Sequence, residues 1–157
     1  MSNKKSKKAR DIMTRDVIVI ENNITTKNMI DIFLNHKISS APVVNEEKKL
    51  VGIVTKTDVI AHYLDIDFDL SIKHTLKDII EYRPENEDKI PSDTDKTVGD
   101  IMTPKPITVE EDTTIESLAK TMLDNNIHRL IIMKDNTITG IVSTMDILYH
   151  VAGIDKK

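Results

Sequence analysis

The sequence predicts an α/β protein made of two β-α-β-β-α units packed about a pseudo-two-fold axis, and three observations predict it. Asp11-Ile12-Met13-Thr14 recurs as Asp100-Ile101-Met102-Thr103. Gly52-Ile53-Val54-Thr55-Lys56-Thr57-Asp58 recurs as Gly140-Ile141-Val142-Ser143-Thr144-Met145-Asp146 at nearly the same offset. Matching 11–44 to 100–133 gives nine identities and matching 50–60 to 138–148 gives four, 13 in 45 positions. Within each copy the hydrophobic pattern alternates between strand and helix periods, which makes the repeat a structural unit.

Val17-Ile18-Val19-Ile20 is a short β-branched run, answered by Pro106-Ile107-Thr108-Val109 in the second copy. Met29, Ile30, Phe33, Leu34 and Ile38 then fall on one face of a helix, with Thr25 or Thr26 as its N-cap. The second copy places Ile115, Leu118, Ala119, Met122, Leu123 and Ile127 in the same way. A strand follows (41–44; 129–133), then a charged turn (45–49; 134–136) and a second strand (50–54; 138–142). Thr55 and Ser143 open closing helices that carry Val59, Ile60 and Leu64, or Ile147, Leu148 and Val151, on their apolar side. A unit of about 55 residues buries little by itself, so the two copies are expected to pack together. The chain thus divides into a basic flexible tail (1–9), copy one (10–64), a helix plus acidic linker (65–97) and copy two (98–157). The helix in the connecting segment is expected around Leu76, Ile79, Ile80 and Tyr82.

The composition narrows function. Of 157 residues, 39% are hydrophobic and 31% charged, the range of a folded soluble protein. The formal charge of -4 argues against a dedicated nucleic-acid binder. No apolar stretch approaches the roughly 18 residues of a membrane span, and the polar, basic start does not resemble a secretory signal. These features suggest a cytoplasmic protein. Without Cys there is no disulfide, no thiolate metal site and no cysteine nucleophile. No paired-carboxylate, metal-spaced His or Ser-His-Asp arrangement points to catalysis.

The repeated Gly-Ile-Val-(Thr/Ser)-x-x-Asp motif sits at a strand-to-helix junction in both copies and has two readings. Thr55-x-x-Asp58 and Ser143-x-x-Asp146 fit a capping box, with Gly52 and Gly140 easing a strand bend. Alternatively, the hydroxyl reaches a phosphate or sugar oxygen and the carboxylate accepts from both hydroxyls of a ribose. Gly would then let a ligand lie against the strand. His128-Arg129 is likewise either a solvated cation at a helix end or a ligand contact.

The D-I-M-T start, the β-α-β-β-α order, Ala41-Pro42-Val43-Val44 and the two G-I-V-(T/S)-x-x-D endings resemble a tandem pair of CBS (cystathionine β-synthase) domains. The resemblance implies a disc-like module with two clefts between the repeats that bind AMP, ADP, ATP, S-adenosylmethionine or a related compound as a regulatory ligand. It implies no required cofactor, metal or catalytic residue. Carried over residue by residue, Asp58 and Asp146 hold ribose hydroxyls, while Thr55 and Ser143 contact ribose or phosphate. Thr14 to Ile18 with Ala41-Pro42, and Thr103 to Ile107, line the adenine. His128 and Arg129 resemble the family's phosphate-contacting stretch.

Copy one has Ser39 and Ser40 where copy two has His128 and Arg129, so the clefts are expected to differ in affinity for phosphorylated ligands. Ile131 stands where the pattern has Pro. The resemblance also implies a homodimer formed by leftover apolar helix faces, and a separate effector protein. An interaction scaffold with empty clefts is the main alternative. A weaker one is nucleic-acid association through Lys4-Lys5-Ser6-Lys7-Lys8-Ala9-Arg10, which lacks interleaved aromatics for base stacking.

Overall fold

The computed structural model describes residues 7–63 and 96–155, so the helix and all but the last two residues of the linker expected over 65–97 lie outside the described residues. The first repeat runs α1 (Ala9–Ile12), β1 (Ile20–Glu21), α2 (Thr26–Asn35), β2 (Ser40–Val44), β3 (Leu50–Thr55) and α3 (Lys56–Tyr63). The second runs α4 (Val98–Ile101), β4 (Thr103–Pro104), β5 (Thr108–Glu110), α5 (Ile115–Asp124), β6 (Arg129–Lys134), β7 (Thr137–Ser143) and α6 (Thr144–Ala152). Among the described residues, no helix is long and apolar enough to cross a membrane.

Local chemistry accounts for these elements. Thr25 and Thr114 accept the backbone N–H groups of Asn28 and Ser117, capping α2 and α5. Both helices end on a residue with positive φ, Lys37 or Asn126. The next residue, Ile38 or Ile127, donates its N–H back to Phe33 O or Met122 O, each at 3.0 Å. This left-handed stop satisfies helix carbonyls and sends the chain straight into the following strand. β2 pairs antiparallel with β3, and β6 with β7. The β6–β7 turn, Asp135-Asn136, has positive φ at both residues, as a two-residue hairpin requires.

The sequence suggests that each copy builds its own three-stranded sheet; the structure exchanges segments instead. β4, from the second repeat, adds to the first repeat's sheet, giving the order β1-β2-β3-β4. Thr14 reciprocates by bridging Ile141 at the edge of the β5-β6-β7 sheet. The short helices follow the same rule. Ala9 N and Arg10 N donate to Thr113 O and Glu111 O, while Val98 N and Gly99 N donate to Ile24 O and Asn22 O. Ala9 and Met13 therefore sit in a core with Leu118, Met122, Leu130 and Val142. Val98 and Met102 pack with Met29, Phe33, Val43 and Val54. The D-I-M-T anchor of each copy completes the other copy's core, and this reciprocity is the pseudo-two-fold relation.

Three sequence expectations change. Ala9, assigned to the tail, is fully buried. Most of the run 17–20 is not in a strand; only Ile20–Glu21 pairs, because the chain before it crosses between sheets. Leu34 and Leu123, read as core, are 67% and 81% exposed. They occupy equivalent positions beside the true inward set, so the helical stripe is narrower than the apolar count implies.

The glycines of the repeated motif also acquire a reason. A Cβ on Gly52 would overlap Met102 Sδ and lie 3.0 Å from Thr103 O; one on Gly140 would overlap Met13 Sδ. Here the missing Cβ makes room for the exchanged methionine, where the sequence suggested a strand bend or a close ligand approach.

Candidate functional site

The left-handed ends of α2 and α5 place Ser39-Ser40 and His128-Arg129 at the mouths of β2 and β6, where the two repeats meet. There the structure opens a cleft of about 430 Å³, within the range of small-molecule sites. Thr103, Lys105, Pro106 and Ile107 form one wall, and Ile127, His128 and Arg129 form another. Ile131, fully buried, lies at its base. The opposite side comes from the first repeat: Ile53 and Thr55 at the end of β3, and Thr57 in α3. Pairing of β4 against Gly52 and Ile53 draws these two groups together.

The cleft joins apolar surface to clustered polar groups. Ile53, Pro106 and Ile107 offer a face for a planar ring, while Thr55, Thr57, Lys105, His128 and Arg129 supply hydroxyls and positive charge. Arg129 is half-buried, and its Nη2 donates to Ser39 Oγ of the other repeat at 2.6 Å. Burial pulls its pKa below the ordinary arginine value, and the negative charge of Asp146 partly offsets this. It remains a guanidinium held by contacts to both repeats, with five N–H donors of which Ser39 takes one.

Of the residues singled out from sequence, Thr55, Thr103, Ile107, His128 and Arg129 come together here. Thr55, which the resemblance assigns to ribose or phosphate, faces residues of the other copy in this cleft. Thr14, paired with Ile141, and Ile18, half-buried, lie on the related side of the pseudo-two-fold with Ser143. Ala41 and Pro42 have buried side chains inside the first repeat. Ile53 and Thr57 were not singled out, although Ile53 sits in the repeated motif; which repeat it serves depends on the segment exchange.

Asp58 and Asp146 do not line this cleft. Asp58 Oδ2 accepts from Thr55 N and Thr55 Oγ1, both at 2.7 Å. Asp146 Oδ2 accepts from Ser143 N at 2.7 Å and Ser143 Oγ at 2.8 Å. Each thus completes the capping-box geometry and stands one hydrogen bond behind a hydroxyl. Asp146 is 5% exposed and borders a smaller hollow of about 230 Å³ beside Asp11, Tyr149 and His150.

A family model for the CBS domain matches residues 9–65 and 98–153. The chain belongs to the CBS-domain family. The uncharacterized protein MJ1426 of Methanocaldococcus jannaschii is 34% identical over 153 residues, covering 88% of each protein. Inosine-5'-monophosphate dehydrogenase of the same organism is 31% identical over 156 residues, but the match spans only 26% of that enzyme. Among solved structures, the CBS domain pair of protein MJ0100, in complex with 5'-methylthioadenosine and S-adenosyl-L-methionine, is similar at a TM-score of 0.69. It is 26% identical, and the match covers 94% of this chain and 98% of that one. The exchanged helices, paired sheets and inter-repeat cleft are therefore those of a CBS-domain pair.

Proposed function

We propose that this CBS-domain protein is a regulatory module that binds an adenosine-containing metabolite, of the AMP, ADP, ATP or S-adenosylmethionine type, between its repeats and signals to a separate protein. The observation that carries this reading is the inter-repeat cleft, in which an isoleucine- and proline-lined face adjoins Thr55, Lys105, His128 and Arg129. The MJ0100 pair supports it, being similar in sequence and fold and holding adenosine derivatives. In this reading the apolar face takes adenine, Thr55 and Thr103 reach the ribose, and His128 with Arg129 meets phosphate. Asp58 and Asp146 act as positioning residues that aim the Thr55 and Ser143 hydroxyls. No cofactor or catalytic group is required, and the chain works in the cytoplasm.

A ligand in this cleft touches both repeats at once, so it favours whichever arrangement brings Thr55 closer to Arg129. It shifts the equilibrium only by its difference in affinity for the two arrangements. The exposed Ile60, Leu148 and Val151 on the closing helices fit a homodimer contact. The completed capping boxes favour a second reading, a scaffold whose motif residues are wholly structural.

Isothermal titration of the folded protein with AMP, ADP, ATP and S-adenosylmethionine separates the two. Binding by at least one ligand, weakened by Ile107→Asp in the partly exposed rim, is the expected result. No heat with any of the four leaves the scaffold reading in place.

A further inference from the structure

The cleft between the repeats is lined by cations and by no carboxylate. Lys105 stands on one wall and His128 with Arg129 on another, and among the described residues no Asp or Glu borders it. Asp58 is engaged by Thr55 N and Thr55 Oγ1, both at 2.7 Å. Asp146 is engaged in the same way by Ser143 N and Ser143 Oγ.

The two permanent charges are each held in place. Arg129 is fixed from behind, since Ser39, whose Oγ accepts its Nη2 at 2.6 Å, does not itself line the cleft. Ser39 O also accepts Lys56 N at 3.0 Å. One first-repeat residue therefore ties the guanidinium to the start of α3, beside Thr55 and Thr57. Lys105 is fixed by its backbone. Its φ of 51° lies in the left-handed region, which a non-glycine residue enters only at a cost. The other described non-glycine residues with positive φ have local reasons: Lys37 and Asn126 end helices, and Lys48, Asp135 and Asn136 turn hairpins. Lys105 does neither. It stands between Pro104 and Pro106, whose rings fix their own φ. Its N–H donates to Val51 O at 3.3 Å, next to the pairing of Pro104 with Gly52. Strain of this kind persists where the surroundings enforce it, and it collects at ligand-binding sites.

We infer that this cleft selects a nucleoside phosphate over S-adenosylmethionine, that Lys105 is the residue that sets the choice, and that Ser39 is a positioning residue for the second cation, Arg129. A nucleotide brings its phosphate oxygens to two cations on two walls, where charge-assisted hydrogen bonds are strong. S-adenosylmethionine brings a sulfonium and an ammonium, and no described carboxylate lines the cleft to receive them. Like charges brought together in a partly enclosed site select against the wrong ligand. The inference deepens the adenosine reading of this cleft and rests on it.

Calorimetry on the full chain with AMP, ADP, ATP, adenosine and S-adenosylmethionine, at matched ionic strength, tests it. At least one nucleotide should bind about a hundredfold or more tighter than S-adenosylmethionine, and its affinity should fall as salt rises. Lys105→Gln, at an exposed position, should weaken that nucleotide by about tenfold, the scale of a charged hydrogen bond. It should leave adenosine unchanged and narrow the gap to S-adenosylmethionine. Ser39→Ala should weaken the nucleotide selectively in the same way, and Ser39→Thr, which keeps the hydroxyl, should restore it. S-adenosylmethionine binding as tightly as every nucleotide would overturn the inference. So would nucleotide affinity unaltered by Lys105→Gln, or an equal loss for nucleotide and adenosine, the mark of a purely structural effect. Nucleotide affinity unaltered by Ser39→Ala would overturn the part assigned to Ser39. Failure of all five compounds to bind the protein, its fold checked by circular dichroism, would instead remove the adenosine reading itself.

Discussion

Gly140→Ala should destabilise the protein through a residue of the opposite repeat. The new Cβ would lie 2.8 Å from Met13 Cγ and 3.0 Å from Met13 Cβ, with the sulfur closer still. Favourable carbon–carbon contacts begin near ~3.5 Å, so Met13 must move. Overpacking of this kind costs about 1–3 kcal/mol. The substitution also restricts the unfolded chain, which returns roughly 0.4–1 kcal/mol. The net expectation is a loss of about 1–2 kcal/mol, the difference between those two effects. Met13→Ala alone should cost about 2–5 kcal/mol, because Met13 is buried in the second repeat's core. In the double variant the new methyl group occupies space that the sulfur has vacated. The combined loss should therefore fall short of the sum by about 1–3 kcal/mol, as coupled neighbours do. Urea unfolding followed by circular dichroism measures all three. With a slope of about 2 kcal/mol per molar urea, the middle of the usual range, Gly140→Ala alone shifts the midpoint by roughly 0.5–1 M. Gly153→Ala is the control: its φ is 68° and nothing lies within 4 Å of the added atom, so its cost should be independent of Met13. Stability unchanged in Gly140→Ala, or strictly additive losses, would refute the segment exchange as the reason for the glycine.

Ser143→Ala removes an N-cap oxygen that accepts Asp146 N at 3.3 Å and donates to Asp146 Oδ2, and should cost about 1 kcal/mol in the same assay. An unchanged midpoint would show that the capping box carries no stability. Asp100 accepts from Thr97 N at 2.7 Å and Thr97 Oγ1 at 2.8 Å, and these bonds hold its carboxyl below the ordinary aspartate value. Because the folded value is the lower one, its stabilisation is present above the unfolded aspartate value. It is lost as pH falls through the folded value. Titration by NMR should show the lowered midpoint, and Thr97→Val should move it back toward the ordinary value; a midpoint that stays put would exclude the hydroxyl's part.

The regular elements were legible in the sequence wherever the physics is local. Thr25 and Thr114 announce helix starts, Met29-Phe33 and Leu118-Met122 mark inward faces, and Asp135-Asn136 marks a turn. The short-range pattern of Thr55-Asp58 and Ser143-Asp146 likewise gave the capping geometry found. The residues 17–19 misled because β-branched runs suit both a paired strand and an extended crossing. Leu34 and Leu123 misled because apolar residues flanking a stripe do not reveal which of them faces the core.

Two copies, their order and the hydroxyl, apolar and cationic groups that form the cleft were determined by the sequence itself. The tertiary structure alone decided which copy each group serves. Met13 packs at Gly140 and Met102 at Gly52, carrying Thr14 and Thr103 onto opposite sheets. Thr55 consequently lines a cleft with Lys105 and Arg129, and Asp58 stands behind it. Hydrophobic periodicity specifies that a face must be buried but carries no address for its partner. Here the two cores are built from equivalent residues, and the pairing of β4 with β3 and of Thr14 with Ile141 is what assigns each segment to its place.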